Sequence, residues 1–191
     1  MKKIYILFLF SILIPISTFN IDSNKSTIKW KGSKSTGSFH DGYISIQKGF
    51  INIENNKILN GDINIDMNSI TCEDIKDSTS NKYLIEHLKN DDFFSVTEFP
   101  ISYLRIKEIN HIENNQYLIK ATLKIKDQTH LIDFIANIQI ANNAAMATGK
   151  IEIDRTKFGI KYKSKTWYPD IGDRFINDIF ELYFNLVAFP N

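Results

Sequence analysis

Residues 61–103 read GDINIDMNSITCEDIKDSTSNKYLIEHLKNDDFFSVTEFPISY. Up to Met67 an apolar residue stands at every second position, which is the period of a strand with one face in a core and one in water. Beyond it, side-chain oxygens at 77–80 precede apolar residues at helical spacing. Pro100 has no amide hydrogen, so the next strand begins at or just after it. The stretch therefore predicts a strand, a loop, one short helix near residues 79–89, an aromatic turn and a second strand.

The alternation of apolar and polar residues continues through most of the chain. Residues 117–126 are the cleanest example, because three lysines there share the face opposite the apolar one. Residues 132–140 repeat the pattern, whereas residues 179–187 are apolar on both faces and predict a strand that is covered on both. About eight strands follow one another with short connections, and closure into a barrel would remove their exposed edges. We therefore predict an all-β fold, an up-and-down antiparallel β-barrel of about eight strands with one short inserted helix.

The N-terminal residues have the pattern of a secretory signal peptide. Lys2 and Lys3 precede an apolar run at 4–14, which is shorter than the roughly 20 residues that a membrane-spanning helix needs. A buried N-terminal helix is the alternative. No cysteine follows the run, which argues against a lipoprotein anchor or any stable membrane anchor. We predict a signal peptide over residues 1–18, one domain over residues 19–191, and a periplasmic or secreted protein.

Composition narrows the class of protein further. At 191 residues with 43% hydrophobic residues, the chain is long enough for one domain with a substantial core. The 14 phenylalanines and eight tyrosines suit a β-rich interior. Without Lys2 and Lys3 the chain has 21 basic and 22 acidic residues, and no run of five basic residues occurs, so nothing favours nucleic-acid binding. Cys72 is the single cysteine, which excludes an intramolecular disulfide and is predicted to be a buried small side chain.

Several segments resemble the YceI-like family of periplasmic, lipocalin-like barrels that bind polyisoprenoid-type lipids. They are GSFHDG (37–42), DMNSITCEDI (66–75), HLKNDDFFSVTEFP (87–100), LKIKDQT (123–129), IDRTKFGIKYKS (153–164) and DIGDRFINDIFELYFNLVAF (170–189). Glu86 and Asp127 stand where the family commonly has glycine, and Asn90 where it commonly has serine; these departures affect local geometry only. The resemblance extends over residues 28–188, and it implies a lipocalin-like barrel for the whole domain.

Motifs for catalysis are missing from the sequence. The four histidines, at 40, 87, 111 and 130, lack metal-ligand spacing, and no nucleophile elbow, phosphate-binding loop or dinucleotide fingerprint occurs. The carboxylate pairs Asp91-Asp92 and Glu73-Asp74 lie in predicted turns, where such residues commonly cap or are solvated. We therefore expect no catalytic residues, no metal, no cofactor and no enzymatic activity.

The resemblance implies a carrier of a long apolar ligand, such as a polyisoprenoid, a quinone-like lipid or a fatty acid. An isoprenoid tail offers only apolar surface, so we predict an aromatic lumen with a polar group at its mouth. The predicted ligand-binding residues are Trp30, Phe39, His40, Phe93, Phe94, Phe99, Phe134, Arg155 and Phe158, with His40 and Arg155 at the head group. Two alternatives stay open: an enzyme acting on a lipid or small molecule, and a solid-core, stress-related interaction protein. The sequence also leaves a homodimer open.

Overall fold

A computed structural model describes residues 16–141 and 143–191, and within these residues the chain forms nine strands and one α-helix. The strands are β1 (Ser17–Ile21), β2 (Thr27–Ser33), β3 (Phe39–Glu54), β4 (Lys57–Asp66), β5 (Ile101–Glu113), β6 (Gln116–Ile125), β7 (Gln128–Ala141), β8 (Ala144–Asp154) and β9 (Ile179–Pro190). The helix is α1 (Ser78–Lys89), and short 3-10 turns lie at Met67–Ser69 and Arg155–Phe158.

The strands close into an antiparallel barrel. Each strand from β2 to β8 pairs with the next one along the chain, and β2 also pairs with β9, which completes the ring of eight positions. Ile28 of β2, for example, lies opposite Ile44 of β3 on one side and Phe184 of β9 on the other. Strand β1 pairs with the far ends of β3 and β9, so β1 and β2 share one position of the ring. The predicted eight-stranded, up-and-down barrel is confirmed, with β1 as an extra strand.

The strand alternation orients the side chains as the sequence predicts. In β6, Ile119, Leu123 and Ile125 are buried in the barrel, whereas Lys120 and Lys124 are exposed on its outer surface. The prediction for β9 is wrong, because Ile179 and Tyr183 on its outer face are exposed. A barrel has one interior, so the outward face of β9 meets solvent even where its side chains are apolar.

The connections differ between the two ends of the barrel. At one end, here called the hairpin end, β3–β4 and β5–β6 are joined by two-residue turns at 55–56 and 114–115, and Ala141 of β7 lies opposite Ala144 of β8. At the other, here called the helical end, residues 67–100 join β4 to β5 and residues 155–178 join β8 to β9. Both long connections therefore cover the same end of the barrel.

Helix α1 lies in the first of these long connections and begins as the sequence predicts. Asp77 is its N-cap, and the Asp77 Oδ1 atom accepts a hydrogen bond from the Ser80 amide at 2.8 Å. Leu88 packs against buried clusters of the barrel and of the turns around it, whereas Tyr83 is 70% exposed. The helix is thus docked through one side on the end of the barrel.

The predicted signal peptide lies mostly outside the described residues, which begin at Ile16. Its predicted end at Thr18 falls inside β1, where Ser17 lies opposite Ile53 and the Thr18 hydroxyl donates to Asn52 Oδ1 at 2.8 Å. Over the residues that the structure describes, α1 included, no helix combines the length and apolar character needed to cross a membrane.

Candidate ligand cavity

The barrel encloses a cavity in which the centre of a water-sized sphere can occupy about 220 Å³. Its wall runs from Ile58 and Ala145, beside the turns of the hairpin end, to Leu88 and Ile176 at the helical end. Every strand contributes to the wall, because every strand has one inward face. The lumen is therefore a continuous space along the barrel axis rather than a filled core.

The wall of the cavity is almost wholly apolar. Apart from glycine, methionine and aliphatic or aromatic side chains, it contains only Ser102, Arg155 and Asn177. The Ser102 hydroxyl lies 3.1 Å from the Met67 sulfur, and the Asn177 side-chain nitrogen donates to the Ser33 hydroxyl at 2.8 Å. These two donors are thus already engaged with neighbouring protein atoms.

Arg155 is the one charged residue in the cavity wall, and the protein itself binds its whole guanidinium group. The side chain is 3% exposed. Its acceptors are the Asn177 carbonyl at 3.1 Å for Nε, the Ile160 and Tyr162 carbonyls at 3.1 and 2.9 Å for Nη1, and the Ile176 carbonyl and Asp178 Oδ1 at 2.9 and 3.3 Å for Nη2. A guanidinium has five N–H groups, so all of them are used. Burial lowers the pKa of Arg155, and the charges of Asp178 and Asp154 oppose this effect.

Arg155 therefore serves as a structural clamp. Its acceptors come from both limbs of the connection between β8 and β9, at 160–162 and at 176–178. Our prediction that it binds a ligand head group finds no free donor to support it, because its N–H groups are bound to backbone carbonyls and to Asp178.

Five of the nine predicted ligand-binding residues lie in the cavity wall. They are Trp30, Phe93, Phe94, Phe134 and Arg155. The Trp30 Nε1 atom donates to the Thr71 carbonyl at 2.9 Å, which fixes the indole toward the helical end. Phe134 packs edge-on against Phe184, with ring centroids 5.8 Å apart. The structure thus places the aromatic residues that follow α1 and those of the barrel wall around the same cavity. Their contact with a ligand stays a prediction.

The other four predicted residues do not line the cavity. Phe39 is on the outer surface, where the Lys31 ammonium lies 4.7 Å from its ring centroid. His40 is engaged by a carboxylate of the neighbouring loop, Phe99 lies in the turn before Pro100, and Phe158 packs under the barrel end against the ring of His130. Residue type identified these positions as apolar or ionisable, but type does not specify which way a side chain points at a strand end or in a turn.

Most of the wall is aliphatic, and these residues were missing from the predicted site. Examples are Ile44, Ile65, Leu104, Leu182 and Leu186, all inward-facing and only partly buried. The strand period that predicted the barrel could have found them, because every second residue of an amphipathic strand faces the lumen. Partial exposure at inward positions marks the side chains that meet the cavity.

His40 and Cys72 form a structural cluster with Asp74. Asp74 Oδ2 lies 2.8 Å from His40 Nδ1, and Asp74 Oδ1 accepts from the Asp41 amide at 3.0 Å and from Cys72 Sγ at 3.3 Å. Burial raises the pKa of Asp74, but these hydrogen bonds outweigh it and hold the pKa below its usual value. Burial raises the pKa of Cys72, which is a buried side chain as predicted. Nowhere in 16–141 or 143–191 does a group of His, Cys, Asp and Glu have an arrangement that could hold a metal ion.

Solved structures share this fold. The Burkholderia cenocepacia protein BcnA is 18% identical, with a TM-score of 0.68 over 88% of this chain and 99% of BcnA. A polyisoprenoid binding domain from Saccharophagus degradans, implicated in plant cell wall breakdown, is 14% identical, with a TM-score of 0.66 over 93% of this chain and 100% of that domain. The Campylobacter jejuni YCEI protein is 17% identical, with a TM-score of 0.52 over 100% of this chain and 91% of that protein.

The sequence itself matches one family model. No curated protein matches the chain. The model for the YceI-like domain matches residues 19–188, which span all nine strands apart from the first two residues of β1 and the last two of β9. Because this match covers most of the chain, the protein belongs to the YceI-like family.

Proposed function

We propose that the protein binds a long, apolar lipid in the lumen of the barrel. One observation carries this proposal: the barrel contains a cavity whose wall is apolar along its length and whose three polar side chains donate to other protein atoms. At about 25 cal/mol per Å² of buried apolar surface, a long hydrocarbon tail gains enough free energy to bind without a charged partner.

The wall also favours one class of lipid. A fatty-acid carboxylate inside the lumen would need a cation or free donors, and Arg155 has no N–H group to offer. A neutral tail has no such need. We therefore favour a polyisoprenoid or a quinone-like lipid over a fatty acid, in agreement with the polyisoprenoid binding domain of Saccharophagus degradans, which has the same fold.

The proposed role is binding rather than catalysis. The cavity wall holds no nucleophile paired with a base, and Arg155 is committed to the clamp. The solid-core alternative predicts a filled interior, which the cavity argues against. The alternative of an enzyme acting on the lipid is tested by incubating purified protein with its extracted lipid and following the lipid by mass spectrometry. Turnover of the lipid would favour the enzyme.

The test is extraction of the purified protein with organic solvent, followed by mass spectrometry. Ala136 is buried in the wall of the cavity, so Ala136→Trp should fill the lumen and abolish lipid copurification while the barrel still folds. Ile135→Trp is the matched control, because Ile135 is next to Ala136 in β7 but its side chain points outward and is exposed. If Ala136→Trp does not fold, Ala147→Phe places a smaller ring in the wall from β8.

Two outcomes would contradict the proposal. Wild-type protein that yields no lipid after gentle purification would show that the cavity is not a carrier site. A folded Ala136→Trp variant that carries the same amount of lipid as Ile135→Trp would show that the lipid binds elsewhere.

We also propose that the protein is exported and that cleavage occurs before β1. Lys2, Lys3 and the apolar run at 4–14 support export. The pairing of Ser17 and Thr18 within β1 supports cleavage before Ser17, because cleavage after Thr18 would shorten that strand. N-terminal sequencing of the protein from a periplasmic extract tests both points, and retention of Met1 on cytoplasmic protein would contradict export.

A further inference from the structure

The connection between β8 and β9 carries a concentration of positive charge at the helical end. Residues 157–175, here called the basic loop, contain five basic and two acidic residues. Trp167 and Tyr168 within the loop are 47% and 52% exposed. Tryptophan and tyrosine have an apolar body and a polar tip, which is the combination enriched where proteins meet the membrane–water interface.

On the barrel wall, Lys31 and Lys124 lie over the rings of Phe39 and Tyr103, and other lysines are paired with carboxylates. On the wall, Lys29 and Lys120 each lie 2.9 Å from a carboxylate oxygen, of Asp41 and Glu108 respectively. Such pairing offsets the positive charge at these two positions.

In the basic loop three lysine ammonium groups lie over aromatic rings. The distance to the ring centroid is 3.7 Å for Lys161 over Trp167 and 5.1 Å for Lys165 over Phe175. Lys163 lies 5.4 Å from the ring of Tyr162, and none of these three lysines is within 4.0 Å of a carboxylate of the residues that the structure describes. The loop therefore presents positive charge and aromatic surface together, without acidic partners.

The protein holds this surface in a fixed arrangement. The Arg155 clamp binds both limbs of the connection, and the Thr166 hydroxyl donates to Asp178 Oδ2 at 2.6 Å. Ser164, in the middle of the lysines, is fully buried. Ile160 and Ile176, on either side of the exposed part of the loop, line the cavity. The positive surface is thus the outer side of the structure that covers the helical end.

From this arrangement we propose that the basic loop docks on an anionic phospholipid bilayer and sets the helical end of the barrel against the membrane. The three lysines meet the negative surface potential, and Trp167 and Tyr168 enter the head-group region. Arginine and lysine near an anionic leaflet each strengthen binding by a factor of about five, so a few such residues suffice for reversible attachment. This inference goes beyond lipid binding in the lumen and holds whether or not the lumen is occupied.

The test measures binding to sedimenting vesicles of phosphatidylcholine alone or with roughly 30% phosphatidylglycerol, an anionic fraction sufficient to give a negative surface potential. The patch variant changes Lys161, Lys163 and Lys165 to Gln. The control changes Lys48, Lys57 and Lys107 to Gln, three exposed lysines elsewhere on the barrel, with the same change in net charge. All three proteins are prepared with the same N-terminus, so that binding differs only through the substituted lysines.

We expect the wild type and the control to bind the anionic vesicles and to be released as salt rises from about 0.1 to about 0.5 M. The patch variant should bind about a hundredfold more weakly, since it lacks three lysines. Trp167 should give a blue shift of its fluorescence on binding, and Trp167→Phe should remove that shift while the second tryptophan, Trp30, stays in the cavity wall.

Three results would overturn the proposal: no binding of wild type to anionic vesicles, equal loss in the patch and control variants, or equal binding to vesicles of phosphatidylcholine alone. Retention on soluble polyglutamate without vesicle binding would assign the basic loop to an acidic protein partner instead, and would also overturn it. Lipid extraction from the patch variant is an independent readout, because a defect in docking leaves the lumen and its proposed ligand intact.

Discussion

The hairpin end of the barrel contains the Asn-Asn turns at 55–56 and 114–115, each of which joins two neighbouring strands. The helical end contains the connections 67–100 and 155–178, which carry α1, the basic loop and both 3-10 turns. The helical end also has a two-residue turn, at 126–127 between β6 and β7, but it is there that the two long segments pack over the lumen.

The two ends therefore differ in what stabilises them. Asn55 and Asn56 have φ values of 50° and 58°, the positive values that a type I′ hairpin requires and that asparagine tolerates. That stabilisation is local to the turn. At the helical end, Arg155 bonds to carbonyls at 160–162 and at 176–177, so one side chain holds together segments that are distant along the chain. Substitutions should show this difference directly.

The largest effect is expected for Arg155→Met. The substitution removes the donors of four carbonyls and the Arg155 contact to Asp178 Oδ1, and breaking a buried ion pair from one side costs about 3–5 kcal/mol of unfolding free energy. Urea denaturation measures the loss. Arg105→Met is the matched control, because Arg105 also binds a carboxylate, at 2.6 Å from Asp62, but is exposed, so its denaturation midpoint should barely change. Equal midpoints for the two variants would refute the clamp.

Leu88→Ala should have the next largest effect. Leu88 packs against buried residues of the barrel and of the turns near Met67, so its truncation should cost about 2–3 kcal/mol, at the lower end of the range for buried leucine because the side chain is only partly buried. Tyr83→Ala on the exposed side of α1 should change the unfolding free energy by less than about 0.5 kcal/mol. A Leu88→Ala midpoint identical to wild type would mean that α1 is not docked in solution.

A smaller effect is expected at the hairpin end. Asn56→Val places a β-branched residue at φ 58°, which should cost about 1–2 kcal/mol, whereas Asn56→Gly should be close to neutral because glycine adopts this conformation freely. Thermal unfolding of the two variants measures the difference. If valine is tolerated as well as glycine, the turn conformation is not what limits substitution there.

The smallest effect is a pH dependence of the unfolding free energy, which we expect from Asp74 at the helical end. Its hydrogen bonds hold the pKa below the usual value, so the unfolded chain takes up a proton before the folded chain does. The contribution of ionised Asp74 to the unfolding free energy is therefore present above about pH 4. It is lost as the pH falls through the pKa that Asp74 has in the folded protein. Urea midpoints of wild type and Asp74→Asn should converge as the pH falls from about 6 to about 3. A constant gap between them would exclude this linkage.

Much of the barrel could be predicted from the sequence because its determinants are local. The inward face of β6, the start of α1 at Asp77 and the Asn-Asn turns all follow from residue types at short spacing. These features depend on nearby residues and not on contacts with distant parts of the chain. Residue type also identified Trp30, Phe93, Phe94 and Phe134 as candidates for an apolar site.

Only the tertiary structure decided which candidates face the cavity and what Arg155 does. Phe39 and Phe134 are both phenylalanines in strands, yet the first lies on the outer surface and the second in the lumen. The direction of a side chain depends on strand register around the closed ring, and the partners of Arg155 lie up to 23 residues away along the chain. The sequence by itself determined an amphipathic barrel with one helix, whereas register and long-range hydrogen bonding determined the cavity, because both depend on contacts that no short stretch of sequence contains.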